Sequence, residues 1–527
     1  MDGPERDGLT RRGFLAATAA AGLAAAAGSS WISKADAARR SPTARKLRQL
    51  ARLVRGPVVM RGDPGLPVAA QLWNSRYDFA RPLAVVYAVG ERDVQQAVRW
   101  AARTGTRITT RAGGHSYAGY STVTNGVVLD ISNLSGIRVN NRDRKASIGG
   151  GEQLVNLYNR LADRGVTIPG GTCPTVGIAG LTLGGGLGFA GRRWGLTSDN
   201  VLAMRIVTAD GRIRTIHRRR DPELFWACRG GGGGNFGVVT RFLFRTHPAD
   251  AAVLFQLAYD WNDMPTVMAA WQNWAPFTTN DMFSLLTMGT NSGEPRCEIS
   301  GQYFGPESDL PALLAPMTNV ATPKASNTET KNYIEAVRYW AACTEFTAEQ
   351  CVRHAENPDG QIERPMFSAK SDYVRRPLSS AGIATIKRWI ELRQPVRDIG
   401  PANVICDAYG GAINEVSPTA TAFAHRDMRY SIQYNGQWKT PSGQRPTMDW
   451  LRGIHRAMRP HVTGEAYVNY IDPQQPNWLR AYYGRNAERL VEAKGRYDPD
   501  NVFRFAQSIP LPGSRRARAQ LGPGSEV

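Results

Sequence analysis

The chain has 527 residues, of which 42% are hydrophobic and 21% charged, so it can build a sizeable core, and disorder or a collagen-like structure is excluded. Its net charge is +20, and its 6 cysteines include no Cys-x-x-Cys pair, which argues against a zinc ribbon or thioredoxin-type redox chemistry. Basic clusters without a recognition motif are typical of a solvated surface. We therefore expect neither a nucleic-acid partner nor a metal site.

The N-terminal residues have the pattern of an export signal. Arg11 and Arg12 precede an apolar, alanine-rich run to Ala27, which is too short to span a bilayer because a span needs about 20 residues. A twin arginine before such a run is typical of a bacterial Tat signal, and Ala35-Asp36-Ala37 offers a cleavage site. The sequence predicts a secreted or extracytoplasmic protein with a tightly held cofactor and no stable membrane insertion.

Strand and helix patterns alternate between residues 76 and 249, which is typical of an α/β unit. The Asp210-Gly211 pair between two apolar runs predicts a hairpin. The predicted strands are Ala84–Val89, Ile108–Thr110, Val127–Ile131, Val201–Val207, Ile213–Ile216 and Gly237–Thr246, and the predicted helices are Glu91–Thr104 and Glu152–Arg164.

A second domain, residues 250–463, has a different texture. Its predicted strands are Val253–Tyr259, Phe283–Met288, Cys297–Tyr303, Val404–Tyr409 and Tyr430–Tyr434, and its predicted helices are Met264–Trp274, Ser379–Arg393 and Asp449–Met458. This pattern predicts a mostly antiparallel sheet backed by helices, and hence an α+β chain. The remaining expected segments are a signal at 1–37, a basic segment at 38–75, a compact C-terminal segment at 464–510 and a flexible tail at 511–527.

Glycine-rich loops are the main candidates for a ligand site. Two Gly-x-Gly-x-x-Gly matches begin at Gly186 and Gly232, but neither lies between a strand and a helix, as dinucleotide binding requires. We interpret both as chance. No Gly-Lys pair exists, which excludes a P-loop.

Two other loops, residues 111–116 and 170–177, would expose successive backbone N–H groups to an anionic cofactor. They contain His115 and Cys173. Residue type alone does not identify either as a cofactor residue. It is consistent with a hydrogen-bonded loop histidine at His115 and with a small buried residue at Cys173.

Four segments together resemble the berberine-bridge-enzyme-like oxidoreductases within the vanillyl-alcohol-oxidase type of FAD enzymes. They are Arg111-Ala-Gly-Gly-His-Ser116, Gly171-Thr-Cys-Pro-Thr-Val-Gly177 with Leu183-Gly-Gly-Gly186, Trp194-Gly-Leu-Thr-Ser-Asp-Asn-Val201, and Tyr482-Tyr-Gly484 with Tyr497-Asp-Pro-x-Asn-Val-Phe-Arg504. The resemblance extends over about residues 70–510. It implies a two-part FAD-binding domain, 76–249 and 464–510, around a substrate-binding domain at 250–463.

The resemblance also implies how FAD is held. The family's bicovalent members attach the flavin through a histidine to the 8α methyl and through a cysteine to C6, so His115 and Cys173 become the attachment sites. The implied cofactor-binding residues are Arg111, Gly113, Gly114, His115, Ser116, Gly171, Thr172, Cys173, Val176, Gly177, Gly180, Asn200, Gly237, Val239 and Asn469.

The catalytic residues are likewise implied by the resemblance. Tyr467-Val-Asn-Tyr470 matches the family's Tyr-x-Asn-Tyr motif, which makes Tyr470 the base and Tyr467 its orienting or pKa-lowering partner. Asp407 and Tyr409, two apart on one strand face, are both candidates for the group that assists the base. Val176 occupies the position where a small side chain favours reaction with oxygen.

The expected activity is therefore that of a secreted FAD-dependent oxidase. It would transfer a hydride from an alcohol or hemiacetal carbon of a sugar or secondary metabolite to flavin N5 and reduce oxygen to hydrogen peroxide. One alternative is a dehydrogenase that passes the electrons to another carrier. Another is a flavin-free basic binding protein.

Overall fold

The computed structural model describes residues 42–291, 293–396 and 399–522. The predicted export signal and its cleavage site lie outside these residues. Helices and strands are both abundant, and the predicted α+β fold class is confirmed.

The first sheet has four strands in the order β1-β2-β4-β3. β2 and β3 run parallel to β4, and β1 pairs antiparallel with β2. Because parallel strands are covered on both faces, they read as continuous apolar runs, and Val85, Val86 and Val128 are fully buried. The elements are α1 (Pro42–Leu53), β1 (Val58–Met60), α2 (Leu66–Ala69), β2 (Ala84–Tyr87), α3 (Glu91–Thr104), β3 (Ile108–Arg111) and β4 (Val127–Asp130).

The boundary drawn at residue 76 needs correction. β1 belongs to the segment 38–75, yet it pairs with β2 through Val59 and Val85. Leu47 and Leu50 of α1 are buried in the same core as α3. Strand pairing and an apolar helix face therefore make this segment part of the first domain, although its exposed side carries many arginines.

The second sheet is antiparallel, in the order β5-β6-β10-β8-β9. The hairpin predicted at Asp210-Gly211 joins β8 to β9, and Gly211 has the positive φ of +69° that such a turn favours. The elements are β5 (Ile137–Asn140), β6 (Lys145–Gly149), α4 (Leu154–Ala162), β7 (Val166–Thr167), α5 (Ile178–Leu183), α6 (Gly191–Trp194), β8 (Val201–Thr208), β9 (Ile213–Ile216), α7 (Pro222–Ala227), β10 (Gly237–Arg245) and β11 (His247–Pro248), which pairs with β7.

The second domain is built on a seven-stranded antiparallel sheet, in the order β15-β12-β14-β13-β17-β18-β16. Trp271, Ile386 and Leu451 from three helices share one buried core with the strands, as expected for a sheet backed by helices. The elements are β12 (Ala252–Tyr259), α8 (Met264–Trp274), β13 (Met282–Thr290), β14 (Arg296–Tyr303), α9 (Leu310–Thr318), β15 (Ala325–Lys331), α10 (Tyr333–Trp340), β16 (Met366–Val374), α11 (Ser380–Arg393), β17 (Ala402–Ala408), α12 (Ala412–Glu415), β18 (Tyr430–Trp438) and α13 (Pro441–Met458).

One buried arginine joins the two domains. The Arg192 guanidinium, on α6, donates to the backbone carbonyls of Pro276 and Met282, each at 2.8 Å, and to that of Tyr409 at the end of β17. Burial lowers the pKa of Arg192 to about 10, so the side chain remains charged at neutral pH. This buried cation, whose hydrogen bonds all go to backbone carbonyls, fixes the second domain against the first domain.

The C-terminal residues return to the first domain, where Leu479 and Leu490 enter its core. Their helices are α14 (Trp478–Tyr483), α15 (Ala487–Tyr497) and α16 (Arg515–Leu521). The tail expected to be flexible from residue 511 is wrong as far as residue 522, because Ala517 and Leu521 of α16 are buried. None of the helices described between residues 42 and 522 is both long and apolar enough to cross a bilayer.

Candidate active site

A cleft of about 290 Å³ lies among the loops of the first domain. Its lining residues are drawn from the stretches 109–110, 112–121, 171–187, 232–239 and 467–471, together with Trp73, Ile131, Tyr483 and Phe505. The loops converge because β3, α5, β10 and the C-terminal segment all end or begin at this place. The cleft is the natural candidate for the cofactor site.

Glycines allow the walls of the cleft to pack by backbone. A Cβ on Gly113 would lie 2.3 Å from the carbonyl oxygen of Thr175 and 2.4 Å from the amide nitrogen of Gly177, so the two loops touch directly. Gly180 has the opposite environment. A Cβ there would meet no described atom within 4 Å, and one on Gly233 would meet only the Cα of Gly180, at 4.0 Å. Backbone is therefore open to a ligand at Gly180 and Gly233.

The lining residues of the cleft carry no charge at neutral pH, because the one histidine among them, His115, is neutral. Among the described residues that line the cleft there is no lysine, arginine, aspartate or glutamate. Thr110 contributes a buried hydroxyl oxygen without a hydrogen-bond partner among the described residues. Successive backbone N–H groups can neutralise a phosphate without a cation, and a long cleft rich in glycine suits a dinucleotide with a flat ring. The residues present thus fit FAD.

His115 and Cys173 both open into this cleft. The imidazole stacks on Trp73 with 4.4 Å between ring centroids, and its Nε2 lies 2.7 Å from the Thr175 hydroxyl. Burial lowers the pKa of His115 well below its usual range, so the ring is neutral and nucleophilic at pH 7. The Cys173 side chain is exposed, but it faces the interior of a deep cleft, so desolvation raises the pKa of its thiol.

The structure brings most of the predicted cofactor residues together. Those that line the cleft are Gly113, Gly114, His115, Ser116, Gly171, Thr172, Cys173, Val176, Gly177, Gly180, Gly237, Val239 and Asn469.

Two predicted cofactor residues lie elsewhere. The buried Arg111 guanidinium pairs with Asp130 at 2.5 Å and so joins the ends of β3 and β4, which are neighbours in register. Asn200 donates to the carbonyl of Trp194 at 2.9 Å, and its amide oxygen lies 2.7 Å from His247 Nε2. Neither residue lines the cleft, and both side chains bond within the first domain, so direct contact with the cofactor stays a prediction for these two residues.

The predicted catalytic tyrosines line the cleft at its end near His115 and Cys173. The Tyr467 hydroxyl accepts hydrogen bonds from the Gly186 N–H and from Asn469 Nδ2, each at 2.9 Å. The Tyr470 ring lies edge-on to Tyr467, at 5.0 Å, and stacks on Tyr117, at 5.5 Å. Tyr467 is therefore held rigidly and can orient Tyr470.

Neighbouring groups do not make Tyr470 acidic. Burial raises its pKa well above the ordinary value, and the charge of Asp407 raises it further, as do the neighbouring tyrosines. Tyr467 is one of these, so its expected pKa-lowering role is corrected and its orienting role remains. Burial raises the pKa of Tyr467 itself to about 12.

The two candidate helpers, Asp407 and Tyr409, lie just outside the cleft lining but close to Tyr470. Burial raises the pKa of Asp407 to about 7, against a hydrogen bond of 2.9 Å from the Ser431 hydroxyl that lowers it. The Tyr409 hydroxyl is fully buried and lies 3.0 Å from that of Tyr373. Asp407 is thus the group of the two that changes charge near neutral pH.

Several lining residues escaped the sequence analysis. Trp73 lies in the segment that we expected to be a basic arm, and Tyr117 directly follows the first motif. The Gly232 match, interpreted as chance, lines the cleft with Gly232 and Gly234 at φ +82° and +75°. The unbroken run of five glycines from 230 to 234 was the available signal, since only close approach of backbone to a ligand or neighbour favours such a run.

Comparison with protein families gives two matches. Residues 82–217 match the FAD binding domain family, and residues 466–510 match the family described as berberine and berberine like. The two matches lie within the two parts of the first domain, and both include residues that line the cleft.

Curated relatives extend over most of the chain. An uncharacterized FAD-linked oxidoreductase of Bacillus subtilis (strain 168), YgaK, is 35% identical over 86% of this chain and 97% of its own length. Berberine bridge enzyme-like 14 of Arabidopsis thaliana is 32% identical over 82% of this chain and 86% of its own length.

Solved structures of similar proteins have the same fold over most of this chain. BBE-like 1 of Physcomitrella patens has a TM-score of 0.81 at 31% identity and covers 90% of this chain and 100% of its own. A variant of the grass pollen allergen Phl p 4 named as a glucose oxidase has a TM-score of 0.79 at 26% identity, and another named as a glucose dehydrogenase has 0.78 at 26%. Both cover 88% of this chain and 99% of their own.

Proposed function

This chain belongs to the berberine-bridge-enzyme-like family of FAD-linked oxidoreductases, and from that premise we propose that it is an exported oxidase of sugars or similarly hydroxylated small molecules. The substrate would lose a hydride and a proton from one CH–OH group and leave as a lactone or ketone. Oxygen would take up the two electrons and leave as hydrogen peroxide. The family excludes the alternative of a flavin-free binding protein.

The observation that carries the proposal is the arrangement of His115, Cys173 and Tyr470 on one cleft. FAD, when bound, supplies the acceptor for the hydride. We propose that His115 and Cys173 both bond to it. Their neighbours support this, because Trp73 fixes the imidazole plane and the thiol projects freely into the cleft.

The proton of the substrate hydroxyl needs a base. A phenol whose pKa is raised stays protonated at neutral pH and is a poor base by itself, whereas burial raises the pKa of Asp407 to about 7, so this carboxyl titrates near neutral pH. We infer that the Tyr470 hydroxyl oxygen receives the substrate proton as its own phenolic proton passes to the Asp407 carboxylate, which ends protonated. Tyr467 and Tyr117 hold the Tyr470 ring in place.

A hydroxylated, uncharged substrate is supported by the cleft, whose described lining has tyrosine hydroxyls but no charged side chain, and by the solved relatives named as a glucose oxidase and a glucose dehydrogenase. In the second domain, Asp407 lies opposite Leu285 and Ser431, because cross-strand neighbours share a face. The next row carries Gln433, whose amide donates to the Tyr117 hydroxyl at 3.2 Å. These buried groups bond to one another and to Tyr117, so they position the helper carboxyl and the tyrosines.

Oxygen as acceptor is supported by Val176, a small side chain that lines the cleft three residues from Cys173. The alternative, a dehydrogenase with another electron carrier, is kept because solved relatives are named as either a glucose oxidase or a glucose dehydrogenase. Export is supported by the twin-arginine pattern and by the disulfide between Cys343 and Cys351, a bond typical of oxidising compartments.

The test mixes the purified flavoprotein with glucose, glucose disaccharides and simple secondary alcohols. We expect bleaching of the flavin without oxygen, and peroxide equal to the substrate consumed when air is admitted. A flavin that bleaches but recovers its colour only over many minutes in air would support the dehydrogenase. A flavin that none of these compounds bleaches would contradict the proposed substrate class.

A further inference from the structure

The segment 467–472 carries both catalytic tyrosines, yet it belongs to the first domain, whereas Asp407 belongs to the sheet of the second. The proposed proton transfer requires these two parts to be held in register. Contacts between the segment and the second domain therefore decide how well Tyr470 faces Asp407.

Two consecutive residues of the edge strand β16 hold the two ends of this segment. The Ser371 hydroxyl oxygen accepts the backbone N–H of Tyr467 at 3.1 Å. Lys370 donates from Nζ to Asp472 Oδ2 at 2.6 Å, and each of these side chains is only 4% exposed. Ser371 lies opposite Gln433 in the sheet, so the strand that holds the segment is in direct register with the strand beside Asp407.

Asp472 is a fixed corner and not a loose partner. Its backbone N–H donates to the Tyr482 hydroxyl at 2.8 Å, and its carbonyl accepts from Gln507 Nε2 at 2.8 Å. The second carboxylate oxygen accepts the N–H of Gln474 at 2.9 Å. The first domain thus positions Asp472, and Lys370 ties that position to the second domain.

A second carboxylate, Asp372, lies two residues away on the same face of β16 and feels the charge of Lys370, but its Oδ1 accepts a hydrogen bond from Arg459 at 3.0 Å. The hydrogen bond from Lys370 goes to Asp472. A buried ion pair is weak support for stability, because the cost of desolvating two charges offsets much of their attraction. Its better-attested use is to specify one arrangement.

We propose that Lys370 and Asp472 are positioning residues that hold the Tyr467–Asp472 segment in register with the sheet of the second domain and thereby align Tyr470 for proton transfer. The inference rests on the proposed function for its catalytic consequence, while the holding of the segment can be measured without any substrate.

The experiment compares Lys370→Met with the double variant Lys370→Met/Asp472→Asn in the full-length flavoprotein. The single variant leaves a buried carboxylate unpaired and should lose both stability and activity. The double variant removes both charges, and its Asn still accepts the Gln474 N–H, so the unfolding temperature should recover. If the pair positions the segment, the rate constant of flavin reduction by glucose should stay about 10- to 100-fold low, and amides 468–471 should exchange with deuterium about 10-fold faster than in the wild type.

The control is Arg205→Met/Glu91→Gln, which removes an ion pair of the first domain joined at 2.7 Å, neither of whose residues lines the cleft. This control should leave exchange at 468–471 and flavin reduction unchanged, and Lys370→Arg should retain most of the wild-type rate. Recovery of both the reduction rate and the slow exchange in the Lys370→Met/Asp472→Asn protein would overturn the inference. Failure of the proposed function is seen separately, as unchanged flavin reduction in Tyr470→Phe.

Discussion

The cofactor cleft of the first domain and the neighbouring sheet of the second domain are built differently, the former mainly from backbone and the latter from side chains. The cofactor side is mostly backbone, with glycines at 113, 177, 180 and 233 either packed against each other or open to the ligand. The side toward the second domain, outside the cleft lining, is made of side chains, and Asp407, Ser431 and Gln433 meet there only because two antiparallel strands have a particular register. The backbone side admits few substitutions, whereas the side-chain side can change its substrate while the fold persists.

The largest expected effect breaks the backbone side. Gly180→Val would place a side chain in the open space where we expect FAD, so the protein should fold with its usual unfolding temperature in the FAD-free form but lose at least 90% of its flavin. Flavin absorbance per mole of protein measures this. Gly90→Ala, whose Cβ also meets no described atom within 4 Å but lies away from the cleft lining, serves as the control. Full flavin content in Gly180→Val would place the cofactor elsewhere.

On the side-chain side, Tyr470→Phe should slow flavin reduction by about 100- to 10,000-fold, the usual range for removing a group that handles the proton. The flavin should remain bound, since the proposed bonds to His115 and Cys173 and the backbone of the cleft hold it, and this hydroxyl does not. Anaerobic stopped-flow absorbance gives the rate. The control is Tyr303→Phe, which removes a hydroxyl that bonds to Asp309, 3.2 Å away in the second domain. It should leave the rate of flavin reduction unchanged. Equal rates in the two variants would remove Tyr470 from the mechanism.

Because Asp407 titrates near neutral pH, we expect the rate of flavin reduction to depend on pH. Its pKa of about 7 lies above that of an unfolded aspartate, and the ionised form is the one needed for proton transfer, so flavin reduction should fall as pH drops through 7. Asp407→Asn should flatten this profile and lower the rate at pH 8 about 10- to 100-fold.

The same substitution has a predicted effect on stability with a definite sign. Since the carboxyl binds its proton more tightly in the folded state, its ionisation costs stability as pH rises from about 4 to 7. Asp407→Asn should therefore raise the unfolding temperature at pH 8 by a few degrees. If the pH dependence of flavin reduction were the same in Asp407→Asn as in the wild type, the ionisation would belong to another group.

The smallest effect concerns oxygen. Val176→Ile adds one methylene beside the flavin site, and we expect reoxidation by air to slow by about tenfold while anaerobic reduction is unaffected. Parallel reduction and reoxidation traces measure both steps. Equal slowing of both steps would mean that the residue shapes the site in general and does not control oxygen access.

How much could be predicted follows the same division. His115, Cys173 and the glycines beside them form short local motifs, so the sequence identified most of the cofactor side. Arg111 belongs to the first of these motifs and Asn200 to the separate segment 194–201, and both side chains bond within the first domain. Adjacency in sequence does not distinguish such a supporting contact from contact with a ligand. Trp73 escaped notice because its stacking on His115 joins residues 42 positions apart.

Fewer residues of the side-chain side could be predicted from the sequence. Asp407 and Tyr409 were found only through resemblance, and Gln433 was not found, because its contact with Tyr117 depends on strand register and on how two domains pack. Burial also decides which helper titrates near pH 7, and burial of a polar residue on a strand leaves no pattern in the sequence.

The attachment of the flavin through two residues is the central claim, and acid precipitation tests it most directly. Wild type, His115→Ala, Cys173→Ala and the double variant are each purified, precipitated in acid and centrifuged, and flavin absorbance is read in pellet and supernatant. The account predicts a yellow pellet for the wild type and for both single variants, each of which keeps one bond, and flavin in the supernatant for the double variant. Flavin that stays in the pellet of the double variant, or leaves the pellet of the wild type, would contradict it.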